Sequence, residues 1–568
     1  MRYGIHRPAQ LIHPPAQPWK HVAVASGGLG RRWYVGVPMV LRIASHVAVW
    51  LVVAVPLIVV LSKGWVATAD DAAIAIRSHQ VLTLHPPLVG LASTAAVGSG
   101  QNLYDPGPLL FWLLAIPVRI DPTHGPLWGA ALLGGVALSV AIEAAWSTRR
   151  WLGCVLIAFA AVDYLWLVPF VFENLMWNPY FPIPFLIATV VLAWVVGSGS
   201  LGWWPVLVFV GSVAAQTHLI YTIPTAVLVL SAPLVAVAMR GRPQRLRWLV
   251  FGVLAGAVCW LAPLIQNFGS DGNLSALASS DQGQKSLGFA FGLRVVAFLG
   301  SPPPLWLRHE PSNFYSVVGS IDANATVVGF LVLFALAVIA LFAWRHDRQR
   351  LCVLSLVAFI SCICTAISFS IIPERNGLSV DYVISFLWAL SILVWTVAIW
   401  ASVLLGSALF RRRTAVEVGR PSPRWVATTG WVAIGVVAII GFVGVASLRT
   451  FVPSEANVGL DSAGFSSVKE IAKHIERSVP PGPVVFRVTA IDVDDFYVGD
   501  IEEGVAWQLE ADGWEPGLYS VEREYTGLAP SPNSSAFLIA VDRERVVSIR
   551  GFRCPPLPVG CLHLDSLA

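Results

Sequence analysis

The stretch VWLVVAVPLIVVLSKGWVATADD (49–71) decides the fold, because it joins a long apolar run to a pair of adjacent acids. The apolar part extends back to about residue 37, and about 20 apolar residues are enough for a helix to cross a bilayer. Asp70 and Asp71 follow shortly after this run. Carboxylates are expensive to hold beside lipid, so a pair at this place indicates a function.

The composition of the whole chain requires a membrane. Of its 568 residues, 56% are hydrophobic and only 12% are charged, and the mean hydropathy is +0.70. A soluble protein of this length could not bury so much apolar surface, so lipid must be part of its solvent. The net charge of +4 is small, and no phosphate-binding glycine loop, HExxH motif or zinc-spaced Cys/His cluster occurs. We therefore expect no nucleic-acid partner.

Eleven apolar runs are long enough to span the membrane, so the chain is predicted to be a polytopic α-helical membrane protein. The region 203–239 within them fits either one broken hairpin or two short helices. The predicted spans are 37–61, 125–147, 151–172, 179–197, 203–218, 219–239, 247–266, 322–344, 351–372, 380–405 and 425–447.

Arginine clusters fix the predicted orientation. With eleven spans, all five clusters fall on the side of the N-terminus, and basic loops face the cytoplasm. The N-terminus is therefore expected in the cytoplasm and the C-terminal tail outside a plasma membrane, with the first span acting as an uncleaved anchor. The clusters are Arg31–Arg32, Arg149–Arg150, Arg240–Arg247, Arg345–Arg350 and Arg411–Arg413.

Three regions follow from this topology. Residues 1–36 form a cytoplasmic segment, and residues 37–449 form the membrane domain. Within that domain, 62–124 is an external loop whose apolar stretch GPLLFWLLAIPV (107–118) is typical of a helix lying in the membrane interface. Residues 450–568 turn polar and predict a small external α/β domain, whose expected elements are a helix at 468–479, a strand at 483–490, a helix at 502–514 and a strand at 534–542.

The cysteines divide in the same way. Those in or beside spans are interpreted as apolar packing residues. Cys554 and Cys561 lie in the external tail, where an oxidising compartment permits a disulfide, and the spacing leaves open whether they pair.

Polar residues from several loops meet the predicted outer surface, whereas the cytoplasmic loops carry little but arginine. An active site at the outer surface is the economical explanation, and solvated loop ends are the alternative for any single residue. The candidates are Asp70, Asp71, Asp105, Glu173, Asn178, His218, Gln266, Asn267, Arg294, Arg308 and Arg375.

The location restricts the chemistry. Nucleotide sugars are not available outside the cytoplasmic membrane, so a transferase there needs a membrane-bound, activated donor such as a polyprenyl-phosphate sugar. A carboxylate must then accept the proton of the attacking hydroxyl, and Asp70 or Asp71 can do so. A cation or amide donors must stabilise the departing lipid phosphate, for which Arg294, Arg308, Arg375 and Lys63 are candidates.

Several candidates also have a structural interpretation. Asp70 or Asp71 could cap the helix that follows them. Asn178 could start the fourth span, His218 could satisfy a local hydrogen bond, and Arg375 could anchor a span at the headgroups.

The motifs together carry a family resemblance. The paired acids after span one resemble the Asp-Asp segment of the GT-C glycosyltransferases, a superfamily that includes protein O-mannosyltransferases and lipid A aminoarabinose transferases. The interfacial segment and two later motifs are similar to those of members that act on actinobacterial cell-envelope polysaccharides, and the tail resembles their external domain. The segments are ATADDAAIAI (67–76), YDPGPLLFWLLAIP (104–117), NLMWNPYFPIP (174–184), AQTHLIYTIP (215–224) and GVAWQLEADGW (504–514).

The resemblance implies transfer of a pentose or hexose, such as arabinose or mannose, from a polyprenyl-phosphate donor to an external glycan or lipid acceptor. It implies Asp70 as the base and Asp71 as its neighbour. Where the aminoarabinose transferases place a phosphate-binding lysine, this chain has Tyr104 and Asp105. Asp105 could join the acidic cluster and bind a divalent metal with Asp70 or Asp71, although the sequence requires no cofactor.

Two other functions compete with this one. A transporter or flippase of lipid-linked sugars would place functional charges at mid-membrane, where Glu143 and Asp163 are the candidate buried acids. A non-catalytic envelope-assembly protein could keep the fold without the chemistry. The retained Asp70–Asp71 pair argues against the second.

Overall fold

In the residues that the computed structural model describes, the part up to residue 414 is mainly helical and the part from residue 462 onward is mixed α/β. The described residues are 29–93, 95, 102–148, 175–240, 246–269, 272–279, 285–302, 304–305, 324–374, 384, 386–414, 462–490, 495–518, 528, 534–542 and 545–553.

Nine of the thirteen described α-helices of the first part overlap predicted spans. The thirteen helices are α1 (Leu29–Ser62), α2 (Ala69–Gln80), α3 (Leu109–Ile120), α4 (Gly125–Thr148), α5 (Ile183–Gly197), α6 (Trp204–Thr217), α7 (Thr222–Arg240), α8 (Leu246–Gly269), α9 (Asn273–Ser279), α10 (Gly288–Gly300), α11 (Asn324–Arg345), α12 (Gln349–Ser370) and α13 (Leu387–Thr414).

In the described part of the chain, seven helices are long and apolar enough to cross a membrane: α1 from Arg42 onward, α4, α7, α8, α11, α12 and α13. The chain is therefore a helical, multi-pass membrane protein, as predicted. Helices α5 and α6 also lie on predicted spans but are shorter, and α5 begins late because three prolines precede or open it at positions 179, 182 and 184. The predicted spans 151–172 and 425–447 lie outside the described residues, so the number eleven stays a prediction.

The region 203–239 is a helical hairpin that breaks at His218. The backbone of His218 is extended, with φ −153° and ψ 135°, and the chain then reverses into α7. The Thr222 hydroxyl donates to the Ala215 carbonyl at 2.9 Å, and the Trp204 indole donates to the Val229 carbonyl at 3.0 Å. These contacts hold α6 and α7 antiparallel.

Helix α10 corrects one expectation, because Arg294 was placed in a loop and lies instead on this helix. Helix α10 packs between α11 and α12, and a Cβ at Gly292 would lie 2.1 Å from the Ala366 carbonyl oxygen. The Ser391 hydroxyl also donates to the Leu299 carbonyl at 3.0 Å. At 13 residues, or about 20 Å, the helix is too short to span a bilayer, which is why its hydropathy did not distinguish it from a loop.

The C-terminal part contains a four-stranded sheet flanked by two helices. The sheet order is β2-β1-β3-β4; β1 is parallel to β2 and β3, whereas β3 and β4 are antiparallel. The predicted strands at 483–490 and 534–542 are β1 and β3, and the sequence reading missed β2 and β4. The elements are α14 (Ser462–Ser478), β1 (Pro483–Ala490), α15 (Asp495–Ala511), β2 (Glu515–Gly517), β3 (Ser535–Asp542) and β4 (Arg545–Arg553).

The first loop of the membrane domain joins the two parts. Helix α2 packs against both α3 and α15, and its residues Ala72–Ile76 are completely buried. Helix α3 buries one face and exposes Trp112, Ile116 and Ile120, which lie one above the other at a spacing of four residues. This exposed apolar face agrees with the expected interfacial helix.

Candidate active site

Asp70 and Asp71 lie in the first turn of α2, and the short segment 63–68 connects this helix to the end of α1. Neither is the N-cap: that position is Thr68, whose carbonyl accepts hydrogen bonds from the amides of Asp71 at 3.0 Å and Ala72 at 3.2 Å. The predicted capping alternative is therefore wrong for both acids. Their carboxylates lie near the positive end of the helix dipole, which favours negative charge.

Asp70 is held by an indole from a distant loop. The Trp177 Nε1–H donates to Asp70 Oδ2 at 2.5 Å across 107 residues of sequence. Asp70 remains partly exposed, whereas Asp71 and Asp105 are only 8% and 1% exposed. Asp70 is thus the member of this carboxylate cluster (Asp70, Asp71 and Asp105) that an incoming molecule can reach.

Asp105 is fixed by a short ribbon and by two further loops. Its backbone pairs with the segment 90–91, donating to the Leu91 carbonyl at 2.7 Å and accepting from the Gly90 amide at 3.0 Å. One side-chain oxygen accepts from the Asn178 amide at 2.9 Å and the other from the Leu219 backbone N–H at 3.1 Å. Three loops that are remote in sequence therefore meet at one carboxylate.

The carboxylate cluster cannot carry three full negative charges easily. Burial raises the pKa of Asp70, and the hydrogen bond from Trp177 opposes that rise. Burial raises the pKa values of Asp71 and Asp105 much further, and the negative charge of Asp70 adds to both. Asp70 therefore ionises first, and its charge favours the protonated form of its two neighbours.

Asp71 has a second unusual property. Its Oδ1 is buried without a hydrogen-bond partner among the described residues. An ionised carboxylate that is buried without a hydrogen-bond partner would strongly destabilise the fold. The environment of this oxygen therefore favours the protonated form of Asp71.

A group of amide side chains supports the loop that carries Asp105. The Asn273 side chain accepts a hydrogen bond from the Tyr104 backbone N–H at 2.9 Å and donates one to the Tyr104 carbonyl at 3.0 Å. The Asn273 backbone N–H donates to Gln266 Oε1 at 3.1 Å. The backbone carbonyl of the buried Gln216 accepts a hydrogen bond from the Gly107 N–H at 3.3 Å. Gln266 therefore acts through Asn273 and Tyr104 on the position of Asp105.

His218 lies in the break between α6 and α7, next to the Leu219 amide that binds Asp105. Burial lowers its pKa to about 4, so the imidazole is neutral at pH 7. Its Nδ1 accepts the Ile220 N–H at 3.4 Å, and its ring lies edge-on to Tyr221 at 6.2 Å. The local hydrogen bond expected for a structural histidine is thus present.

The remaining predicted residues are placed as follows. Asn178 binds Asp105 rather than starting α5, whose N-cap is Pro182. Asn267 accepts from the Ser275 N–H at 2.9 Å and fixes the start of α9. Arg294 is half-buried on α10, whose packing partners are α11, α12 and α13. Glu173, Arg308 and Arg375 lie outside the described residues, as do Asp163, Cys554 and Cys561.

The sequence reading missed two groups in this site. Trp177 was within the quoted segment NLMWNPYFPIP, yet nothing in its local pattern indicates a partner at residue 70. The Leu219 backbone N–H has no sequence signal at all, because its availability depends on the break at His218.

Charge also occurs at the opposite end of the membrane helices. Glu143, near the end of α4, pairs with the Arg42 guanidinium and lies 2.8 Å from His46 Nε2. Arg42 also stacks on Trp146, with 5.7 Å to the ring centroid. Among the described residues, no group of three or more His, Cys, Asp or Glu side chains is arranged to hold a metal ion.

Comparison with models of known protein families and with curated proteins finds no match to this chain. The resemblance to GT-C enzymes rests on the segments quoted above.

Proposed function

We propose that this protein is a membrane glycosyltransferase that moves a sugar from a polyprenyl-phosphate donor to an acceptor outside the cytoplasmic membrane. The observation that carries the proposal is the carboxylate cluster, in which one acid is accessible and two are buried behind it. Strongly perturbed acids gathered from separate loops are typical of functional sites rather than of structural packing.

In this mechanism Asp70 is the general base. Its carboxylate accepts the proton of the acceptor hydroxyl while that oxygen attacks the anomeric carbon, and the bond to the lipid phosphate breaks. The displaced polyprenyl phosphate leaves with the bonding electron pair. A single direct displacement of this kind inverts the configuration at the anomeric carbon.

The two buried acids and the indole have supporting roles. Protonated Asp71 and Asp105 limit the negative charge beside the base, which leaves Asp70 as the acid that ionises first. The Trp177 N–H orients the Asp70 carboxylate and moderates its basicity. The raised pKa of Asp70 brings its basicity closer to what proton abstraction near neutral pH requires.

The donor needs a cation for its phosphate and a route for its lipid. We favour Arg294 over Lys63 for the phosphate, because Arg294 is half-buried on a short helix that is packed among membrane-spanning helices, whereas Lys63 is exposed. Arg308 and Arg375 remain further candidates by sequence. The polyprenyl chain would enter laterally from the bilayer, with the N-terminus cytoplasmic and the C-terminal sheet domain outside.

Sugar transfer in isolated membranes tests the proposal. Membranes containing the wild-type protein receive labelled polyprenyl-phosphate arabinose or mannose, and the Asp70→Asn variant is compared at equal protein amount. Transfer should fall by about a thousandfold, because the amide cannot accept the proton. Asp347→Asn is the matched control, since it makes the same change at an exposed position in the turn between α11 and α12 and should retain full activity.

The outcomes separate the competing functions. Equal transfer by wild type and Asp70→Asn would remove Asp70 as the base. Absence of transfer from both donors, combined with movement of the labelled lipid across the membrane, would favour a transporter of lipid-linked sugars instead.

A further inference from the structure

The residue before Asp70 has an unfavourable backbone conformation. Ala69 has φ +50°, in the left-handed region that residues with a Cβ adopt at a cost of roughly 1 kcal/mol or more. It lies between the N-cap Thr68 and the proposed base. A turn of this kind persists only where surrounding structure holds it.

The C-terminal domain supplies that surrounding structure. Helix α15 approaches the turn so closely that a Cβ on Gly504 would lie 3.0 Å from Thr68 Cγ2 and 3.2 Å from the Ala67 carbonyl oxygen. At distances this short, a side chain at position 504 fits only if the neighbouring atoms move by a few tenths of an ångström. Position 504 therefore allows α15 to lie directly on the turn that presents Asp70.

Two polar contacts flank this approach and fix its position. On one side, Lys469 Nζ of α14 donates to the Gly64 carbonyl at 2.8 Å, just after the end of α1. On the other, His79 Nδ1 near the end of α2 lies 2.8 Å from Glu510 Oε1 of α15. The domain thus contacts the chain before the turn, at the turn and at the far end of α2.

We infer that Gly504 is a positioning residue: the close packing of α15 on Thr68 holds Ala69 in its left-handed conformation and thereby keeps Asp70 against Trp177. The inference rests on the proposed function for its catalytic meaning. Gly504 touches no reacting atom and acts only through the turn. If the packing is loosened, Ala69 relaxes to negative φ and the Asp70 carboxylate leaves the Trp177 N–H.

The first test introduces a larger side chain at position 504, where α15 approaches the turn. In Gly504→Val the transfer rate should fall about tenfold with little change in the KM for the lipid donor, because the base is misplaced while the donor contacts remain. The acid limb of the pH profile should also move to higher pH, since Asp70 loses the hydrogen bond that lowers its pKa. Lys473→Val, at an exposed position on α14, is the control for placing valine in a helix of this domain.

Rescue distinguishes positioning from general damage. Glycine adopts positive φ without the steric penalty, so Ala69→Gly should restore much of the transfer rate when added to Gly504→Val. A merely destabilised domain would not regain activity from a change at residue 69.

A structural measurement keeps the test independent of catalysis. The amides of Asp71 and Ala72 donate to the Thr68 carbonyl, so their hydrogen exchange should accelerate in Gly504→Val and slow again in the double variant. This readout still decides the inference if the wild-type protein transfers neither sugar. Unchanged exchange and an unchanged pH profile in Gly504→Val would overturn it.

A milder pair of variants covers the case in which Gly504→Val does not fold. Gly504→Ala and Lys469→Met should change exchange and rate in the same direction by smaller factors, because each weakens one docking contact only. If the Asp71 and Ala72 amides of both folded variants exchanged hydrogen at the wild-type rate, the inference would likewise be overturned.

Discussion

The two acid clusters of this molecule, one around Glu143 and the other around Asp70, are stabilised in different ways. Near the C-terminal end of α4, Glu143 is paired with two basic side chains, Arg42 and His46. At the other end, Asp70 and Asp105 receive hydrogen bonds from neutral donors, an indole, an amide side chain and a backbone N–H. The charge of Glu143 is balanced by its partners, whereas burial favours the protonated form of Asp71 and Asp105 and leaves Asp70 as the acid that ionises first. The first arrangement joins helices α1 and α4; in the proposed function, the second provides the base.

The largest effect is expected when a cation is removed from the cluster around Glu143. Arg42→Met should lower the melting temperature by several degrees, because Glu143 loses its main partner at a site where both side chains are only about one-third exposed. Thermal unfolding in detergent measures the loss. Adding Glu143→Gln should recover most of it, and Arg42→Lys should lose less because it keeps the charge. A wild-type melting temperature for Arg42→Met would mean that the pair contributes nothing.

In the carboxylate cluster, removing a charge should raise the stability of the protein rather than lower it. Burial raises the pKa of Asp71 in the native protein, so the native state binds more protons than the unfolded state above the ordinary pKa of the carboxyl group. Wild-type stability should therefore fall as pH rises through the raised native pKa, and Asp71→Asn should flatten that fall.

Melting temperatures at about pH 5 and pH 8 test this. The variant should equal the wild type at the lower pH and exceed it by a few degrees at the higher. A variant less stable than the wild type at both values would indicate that ionised Asp71 has a partner.

The smallest expected effect concerns the indole. Trp177→Phe removes the hydrogen bond that lowers the pKa of Asp70, so the acid limb of sugar transfer should move to higher pH. We expect a few-fold loss of rate on the acid side and little loss on the alkaline side, measured as a pH profile in membranes. An equal loss at all pH values would assign Trp177 to substrate binding instead.

Sequence patterns predicted the membrane helices well because hydropathy over about 20 residues reports directly on burial in lipid. They also predicted that Asp105, Asn178 and the neighbourhood of His218 share one surface. They failed at α10, whose 13 residues lie packed within the bundle without crossing it. They also failed at Trp177 and Ala69. Neither the hydrogen bond of Trp177 across 107 residues nor the backbone angle of Ala69 produces a periodic pattern in the sequence.

The packing of α15 on α2 has a consequence for biogenesis. His79 and Glu510 are 431 residues apart, so α2 is synthesised long before the helix that covers it. Until the ribosome has passed residue 511, the buried face of α2 lacks one of its two main packing partners and the Asp70 turn lacks the contact with α15. The surroundings of Asp70 are therefore completed only late in synthesis, and a chain cut before α15 would lack the helix that covers this turn.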